Sequence, residues 1–561
     1  MKISKTLSQT VFIQKARVVI STLILLILAC ILGAQPTMAQ KDWGLRTLRG
    51  IVEGNGGVQA GYDVSLYVSE PDSQSGSRIL GTATTQDDGM FEIHYRLPKS
   101  LPYRRHAVYY VLAENGLVML SSAIGAGRNI PDNIVVNERT TVAIGTAFAQ
   151  FVQERKILGN KYGMVNAVNM AANMADPKTG AVSAVLLNPP NRNETSTYRT
   201  FNSLTNVVAS CIADEANCLS LFTATTPAGG PAPHTVLHAV ANIPKYPWYP
   251  GYPANDLDPL FVLSELNPIN HPALPNRPTS WLLFIKFTGG FYSEQDEKNL
   301  MNGPGNIAID ERGFSWVTNN YVPQPETTYA CAGLRLLKFT PSGQPFPRSP
   351  YFGGGLSGVG FGITLDPRGR VWVGNFGFQA PACGNGIVPP DKPNKIPATH
   401  NSVSLFRSNG VPLSGSQGFT KGHISWPQAT VSDRKGNIWM ANCGNDSVTI
   451  YPKGHPWRAK NISLGGDPLP PLQDPSDPPQ IKPFGIAIDP NGHAWVTGNK
   501  SQEVYRISSH GKVVKLRSDG LISWPMGISG DSQGNMWVSN SDSVNVPCND
   551  EIDPQSGENP S

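Results

Sequence analysis

The chain has 561 residues, too many for one hydrophobic core, so roughly two to four domains are expected. Only 15% of its residues are charged, against about 25% in an average soluble domain, while Gly and Pro are abundant, as many short strands and turns require. The formal charge is +4 with no long Lys/Arg block or aromatic–basic alternation, which argues against nucleic acid as a partner.

Lys2, Lys5, Lys15 and Arg17 precede an apolar run from Val18 to Leu32, and the small-residue site Thr37-Met38-Ala39 follows. This three-part pattern reads as a secretory signal peptide over 1–39, cleaved after Ala39. Two alternatives stand beside it. One is an uncleaved anchor, since the apolar run is long; the other is a lipoprotein signal at Cys30, disfavoured because Ile31-Leu32 continue that run. The expected location is therefore exported: periplasmic, outer-surface or secreted, with membrane contact only through an uncleaved signal segment. Beyond Cys30 lie Cys211, Cys218, Cys331, Cys383, Cys443 and Cys548, an even set that suggests disulfides in an exported chain. None forms a C-x-x-C pair or sits beside His at metal-ligand spacing, which argues against zinc.

Residues 45–139 read as a β-sandwich. Leu48-Arg-Gly-Ile-Val, the alternating Val64-Ser-Leu-Tyr-Val, Ile79-Leu-Gly-Thr-Ala, Val108-Tyr-Tyr-Val-Leu and Ile134-Val-Val are its strands. With the turn Asp87-Asp-Gly89 before Phe91, the order of these segments resembles the carboxypeptidase-regulatory-like, transthyretin-like sandwich of exported bacterial proteins. That resemblance implies an architectural module without catalysis.

From Thr140 the period becomes helical. Ile144, Ala147, Phe148 and Phe151 share one face, and similar stripes follow at Met164–Met174, Ser203–Ile212 and His234–Ile243. Residues 140–244 are thus expected to be a small all-α spacer. Cys211 and Cys218 flank a turn between two of these helices and are the favoured disulfide. The Met-rich stripe reads as core. Nine prolines between Pro244 and Pro278 suggest an extended linker over 245–280. Its aromatics, Tyr246, Trp248, Tyr249 and Tyr252, read as a clamp on a neighbouring domain in preference to a sugar or peptide patch.

The C-terminal half is organised by a unit that occurs five times: Asp310-x-x-Gly313-x-x-Trp316, then Asp366/Gly369/Trp372, Asp433/Gly436/Trp439, Asp489/Gly492/Trp495 and Asp531/Gly534/Trp537. A short apolar run lies upstream, as in Ile307-Ala308-Ile309, Ile363-Thr364-Leu365 and Ile486-Ala487-Ile488; Asp and Gly make a tight turn, and Trp with a β-branched or apolar partner opens the return strand. In four copies a third strand follows. Repeated strand–turn–strand–strand units read as blades of a β-propeller over 281–548. The repeated Asp, Gly and Trp are then turn and packing residues. The fifth copy stops early at Pro547, so Trp281–Phe287 is expected to be a strand that completes the last blade. Blade number stays open between five and six, and 549–561 is expected to be a disordered tail. Overall the chain is expected to be mainly β: sandwich, all-α spacer, propeller.

The "G-I-A-I-D-x-x-G-x-x-W-V" unit, best at Gly485–Val496, resembles NHL-repeat proteins; "F-G-G-G-L-S-G" at Phe352 and "N-E-R-T-T-V-A" at Asn137 bring it closer to exported bacterial proteins that combine sandwich, helices and such repeats. Turns of the D-x-x-G type lie on one propeller rim. The other rim carries the long insertions Asn319–Gly333 and Asn375–Asn401 and the matched Ser-Trp-Pro loops at Trp426 and Trp524. Binding residues concentrate on loops held by a rigid scaffold, so Trp426, Trp524, Tyr321 and Phe376 are the candidate contacts, and Cys331 with Cys383 is a candidate bridge stiffening that rim.

Two functions follow. The first is an envelope binding or scaffold protein that engages a protein or glycan, without cofactor, metal or catalytic residue. The second is a metal-dependent propeller enzyme of streptogramin-lyase or lactonase type, which needs His and acidic ligands near the channel. His423, His455, His493 and His510 fall at unequal repeat positions, and no Ser-His-Asp order or H-E-x-x-H occurs. Binding is favoured.

Overall fold

The computed structural model describes residues 45–70, 76–97, 106–247, 258–287, 303–323, 330–377, 400–465, 480–516, 518–531, 533–546 and 548. The expected signal segment and tail lie outside these residues. Two sheets open the chain. One joins β1 (Arg46–Gly54), β2 (Gly57–Val58), β5 (Met90–Tyr95) and β8 (Asn133–Val136), with β8 running parallel to β1. The other has the order β4-β3-β6-β7, from β3 (Asp63–Ser69), β4 (Ser77–Thr84), β6 (Val108–Asn115) and β7 (Val118–Ala126). Alternation buries Leu48, Val64, Leu66 and Phe91 between them.

Seven helices follow among the described residues: α1 (Glu138–Ala147), α2 (Lys161–Ala172), α3 (Ala184–Leu187), α4 (Thr197–Ala213), α5 (Glu215–Ala224), α6 (Val236–Lys245) and α7 (Pro259–Leu266). Asn137 starts α1 with a capping box: its side chain accepts the Arg139 and Thr140 amides, and Thr140 Oγ1 accepts the Asn137 N–H. That gives the Asn137 segment of the sequence a local structural meaning. The Cys211–Cys218 disulfide ties the end of α4 to α5. The helices share one core with the two sheets, for a single cluster of buried side chains takes in Leu48, Phe91, Ile144, Phe201, Leu237 and Leu260.

The proline-rich stretch is not extended throughout, because it contains α7. Asp258 caps that helix by accepting the Leu260 and Phe261 amides, and Pro259, which has no N–H to satisfy, occupies its first turn. Asp258 also accepts a hydrogen bond from Trp281 Nε1 at 2.7 Å. Trp281–Phe287 forms no strand and completes no blade. Trp281, Leu283 and Ile285 instead pack on the N-terminal core. Asn191 takes both main-chain groups of Lys286, and Thr197 donates to the Phe284 carbonyl, so side chains of the N-terminal body satisfy groups that a blade neighbour would have used.

Five antiparallel sheets then form the propeller blades seen among the described residues. They are Pro304–Ile309/Ser315–Pro323/Ala330–Phe339, Val359–Leu365/Val371–Asn375/Ser402–Phe406, Pro427–Ser432/Ile438–Asn442/Ser447–Tyr451/Lys460–Ser463, Pro483–Ile488/Ala494–Gly498/Glu503–Ile507/Val513–Leu516 and Pro525–Gly530/Met536–Asn540. The first-named strand of each blade packs beside that of the next. Trp316, Trp372 and Trp439 are buried against the following blade. Among the described residues no blade faces the outer side of blade 1 or of blade 5: Ile307 and Ile309 are 53% and 63% exposed, and Trp537 is 68% exposed.

The turn chemistry explains why Asp, Gly and Trp recur together. In all five copies Asp Oδ1 accepts the amides two and four residues on, as with Arg368 and Arg370 for Asp366. In four copies Asp Oδ2 also accepts the indole N–H six residues on, at 3.1 Å for Trp372 and 3.0 Å for Trp495. Blade 1 departs from this, for Lys338 Nζ sits 4.4 Å over the Trp316 ring.

Burial pushes the Asp366 carboxyl upward, but the Trp372 and Arg370 hydrogen bonds outweigh it and hold the group below its usual range. Asp489 behaves likewise through Trp495 and His493. Asp531 is brought down to about 2, chiefly by Trp537. A carboxylate held below its unfolded value stabilises the fold above that value, about pH 4, and the contribution is lost as pH falls through the folded pKa. Stability is therefore expected to decline progressively from about pH 4 to about pH 2, with a shallower decline in Asp366→Asn. Thermal melts at stepped pH check this, and an identical acid limb in the variant would contradict it.

Candidate functional site

Counting from each repeat Asp locates the channel and its mouth on the rim opposite the turns. Five residues before Asp stand Gly305, Phe361, Gln428, Phe484 and Met526; seven before stand Gly303, Val359, Trp426, Lys482 and Trp524; ten after stand Asn320, Phe376, Cys443, Asn499 and Ser541. In four blades the carbonyl seven before accepts the amide ten after, for example Lys482 from Asn499 at 3.0 Å and Trp524 from Ser541 at 3.1 Å. In those four blades it pins the start of the blade to the end of its second strand. Phe361 and Phe484 belong to blades 2 and 4, yet their rings are 5.2 Å apart, so they meet across the channel.

The mouth is closed by the chain itself. Phe376, Trp426, Cys443, Phe484, Val546 and Cys548 form one buried cluster, with Met526 against it. The segment Ser541–Val546, with Cys548 beyond it, lies over the mouth as a strap. Cys548 is disulfide-bonded to Cys443. Asn499 holds the main chain between, with Nδ2 donating to the Val544 carbonyl at 3.0 Å and Oδ1 accepting the Val546 N–H at 2.9 Å. Lys482 is fully buried, and its ammonium donates to Asn545 Oδ1 at 2.9 Å and the Val546 carbonyl at 3.0 Å. A buried cation requires such acceptors.

Asp446 sets the Lys482 loop by accepting the amides of Gln480, Ile481 and Lys482. Burial raises its pKa, although those amides oppose the shift. Trp426, Lys482 and Trp524 all have positive φ, between 43° and 52°. Three bulky residues held in left-handed backbone at equivalent positions store strain of about 1–3 kcal/mol each, a cost found mostly at functional sites. Behind Trp426, His400 stacks at 3.6 Å between ring centroids, and its Nδ1 meets the Phe376 carbonyl. Burial lowers the pKa of His400, which suits a neutral packing partner.

The four rings expected on this rim are placed differently from one another. Phe376 and Trp426 are buried under the strap with ring centroids 5.1 Å apart. Trp524 is half-buried and offers its carbonyl to the start of the strap. The Tyr321 main chain pairs with Ala332, and that of Cys331 with Val322; both side chains, and Cys383, lie outside what is described. Lys482, Asn499 and the Cys443–Cys548 bridge escaped the sequence reading. The signal for them was the shared offset from the repeat Asp, applied to non-identical residues.

Gln428 is fully buried at the channel position of blade 3, and neither of its amide atoms has a hydrogen-bond partner among the described residues. An unsatisfied buried polar group costs about 1–3 kcal/mol. Gln428→Met is accordingly expected to raise the guanidinium midpoint, by about 1–2 kcal/mol of stability, and a destabilised variant would refute this. Among the described residues no three His, Cys, Asp or Glu side chains come together as a metal site. A separate recess of about 230 Å³ in the N-terminal body is lined by Tyr246, Pro247, Asp258 and Trp281. There the Asp258 carboxylate is already engaged by Trp281 and the α7 amides.

No protein-family model matches the chain, and no curated protein matches it. Among solved structures it is similar to virginiamycin B lyase of Staphylococcus aureus, at 13% identity over 45% of this chain and 87% of that one, TM-score 0.25. It is also similar to a periplasmic gluconolactonase of Pseudomonas aeruginosa, at 16% identity over 42% and 64%, TM-score 0.27, and to a nidogen/laminin complex, at 12% identity over 42% and 72%, TM-score 0.27. By its own strands and turns the chain is a mainly β protein that carries a β-propeller.

Proposed function

We propose that this is an exported cell-envelope binding or scaffold protein whose NHL-type propeller engages a protein or glycan through its loop rim. The observation that carries this reading is the mouth itself. It presents a side-chain amide, an ammonium and an apolar recess to a length of main chain, which is equipment for holding a ligand. The Cys211–Cys218 and Cys443–Cys548 disulfides fit an oxidising compartment.

Photocrosslinking in the native envelope tests the proposal. A crosslinker at exposed Leu521, whose carbonyl receives Asn540 beside the mouth, is expected to capture a discrete partner. The same group at Glu311, in the turn of blade 1, is expected to capture none from that set. Equal capture at both positions, or a stoichiometric divalent ion in purified protein, would overturn the reading.

A further inference from the structure

The strap is held by contacts that a separate ligand would also satisfy. Asn499 bridges the carbonyl of Val544 and the N–H of Val546, the two-residue reach by which a parallel β-strand binds its neighbour. Such bonds read main chain and are indifferent to side-chain identity. Lys482 adds a second grip on the Val546 carbonyl. Selectivity comes from the cluster of Phe376, Trp426 and Phe484, in which the Val546 side chain is only 3% exposed. Gln428 leaves an unpartnered donor and acceptor at the neighbouring channel position. This is the chemistry of peptide recognition: generic for the backbone, size-selective at one side chain.

We infer that the channel mouth is a peptide-binding site, with an extended peptide bearing a small β-branched residue as its ligand class and the chain's own Val544–Val546 as its resident occupant. The inference rests on the binding reading above and names the partner's chemistry. The strap leaves blade 5 at Ser541 and is fixed again at Cys548, so it is tethered at both ends and outcompetes a free peptide through its high effective concentration. The site opens to other peptides when the strap is unseated.

The test uses the full-length chain with Val546→Asp and Cys548→Ser together, which places a charge in the apolar recess and removes the tether. The probe is a fluorescein-labelled peptide of the strap sequence Ser-Asp-Ser-Val-Asn-Val-Pro. The strap-disabled chain is expected to bind it at least tenfold more tightly than the unaltered chain does. Adding Asn499→Ala, or changing the second Val of the probe to Asp, is expected to cost tenfold or more. Absence of binding by a folded strap-disabled chain, or equal binding by both chains, overturns the inference. So does binding of an N-acetylglucosamine tetrasaccharide in place of the peptide.

Should the doubly altered chain lose its near-ultraviolet circular dichroism, Asn499→Ala with the disulfide intact serves instead. Hydrogen exchange at the Val544 and Val546 amides is then expected to rise at least tenfold while the blade strands stay protected, and unchanged exchange overturns the inference. A rim partner captured by crosslinking together with a failed peptide titration leaves the binding reading standing and removes only this one.

Discussion

Trp372→Ala is expected to cost about 3–5 kcal/mol of propeller stability, whereas Trp537→Ala costs under about 1 kcal/mol, although both occupy the same place in the repeat. Trp372 is fully buried against Ile438 and Met440 of the next blade, and its removal leaves a cavity that blade 3 is too well packed to fill. Trp316 and Trp439 sit in the same kind of inter-blade cluster and belong with Trp372. Trp537 is largely exposed, with no following blade against it among the described residues. Guanidinium midpoints for the four variants check the order. A loss at Trp537 as large as that at Trp372 would mean that its face is covered in solution.

The second large effect is expected at the Cys443–Cys548 bridge. Its cysteines are 105 residues apart, and a loop of that length removes enough denatured-state entropy to be worth about 4–5 kcal/mol. The Cys211–Cys218 bridge spans a separation of only 7 and is worth roughly 2–3 kcal/mol by the same argument. Since a domain's net stability is about 5–15 kcal/mol, Cys443→Ser with Cys548→Ser removes a large fraction of it. Denaturation of each double serine variant under non-reducing conditions measures both losses. Equal losses, or a larger one at Cys211–Cys218, would show that the bridges act through native-state contacts and not through loop length.

The parts legible from the residues were those whose cause is local. Asp366, Gly369 and Trp372 recur at fixed offsets because one carboxylate serves two turn amides and one indole, a constraint contained in seven residues. The α1 stripe of Ile144 and Phe148 was visible for the same reason, since helical period and burial coincide there. The α7 helix was masked by proline density, although Asp258-Pro259 is itself a start signal. Trp281–Phe287 reads as a strand on its own composition, and its packing on the N-terminal core, with the distant Asn191 and Thr197 taking its main-chain groups, decides otherwise. The mouth was half legible. Trp426 and Phe376 were found, but the direction they face is set by Val546 and Cys548, which belong to no repeat. Lys482 was hidden because it differs in type from Trp426 and Trp524 while sharing their backbone position.

The polar contacts of the blades also bear on how such a chain grows. The Asp–Trp bond closes inside one blade. Several polar contacts that cross to a neighbouring blade end on main-chain carbonyls: Thr318 on Gly360, Asn306 on Phe361, Thr497 on Met526. Any blade offers those carbonyls whatever its sequence, and apolar packing supplies most of the remainder. A duplicated gene segment encoding one blade would therefore find its sockets already present on both neighbours. Selection can then lengthen or shorten the array one unit at a time, with the strap, which crosses several blades at once, as the part that most needs specific matching residues.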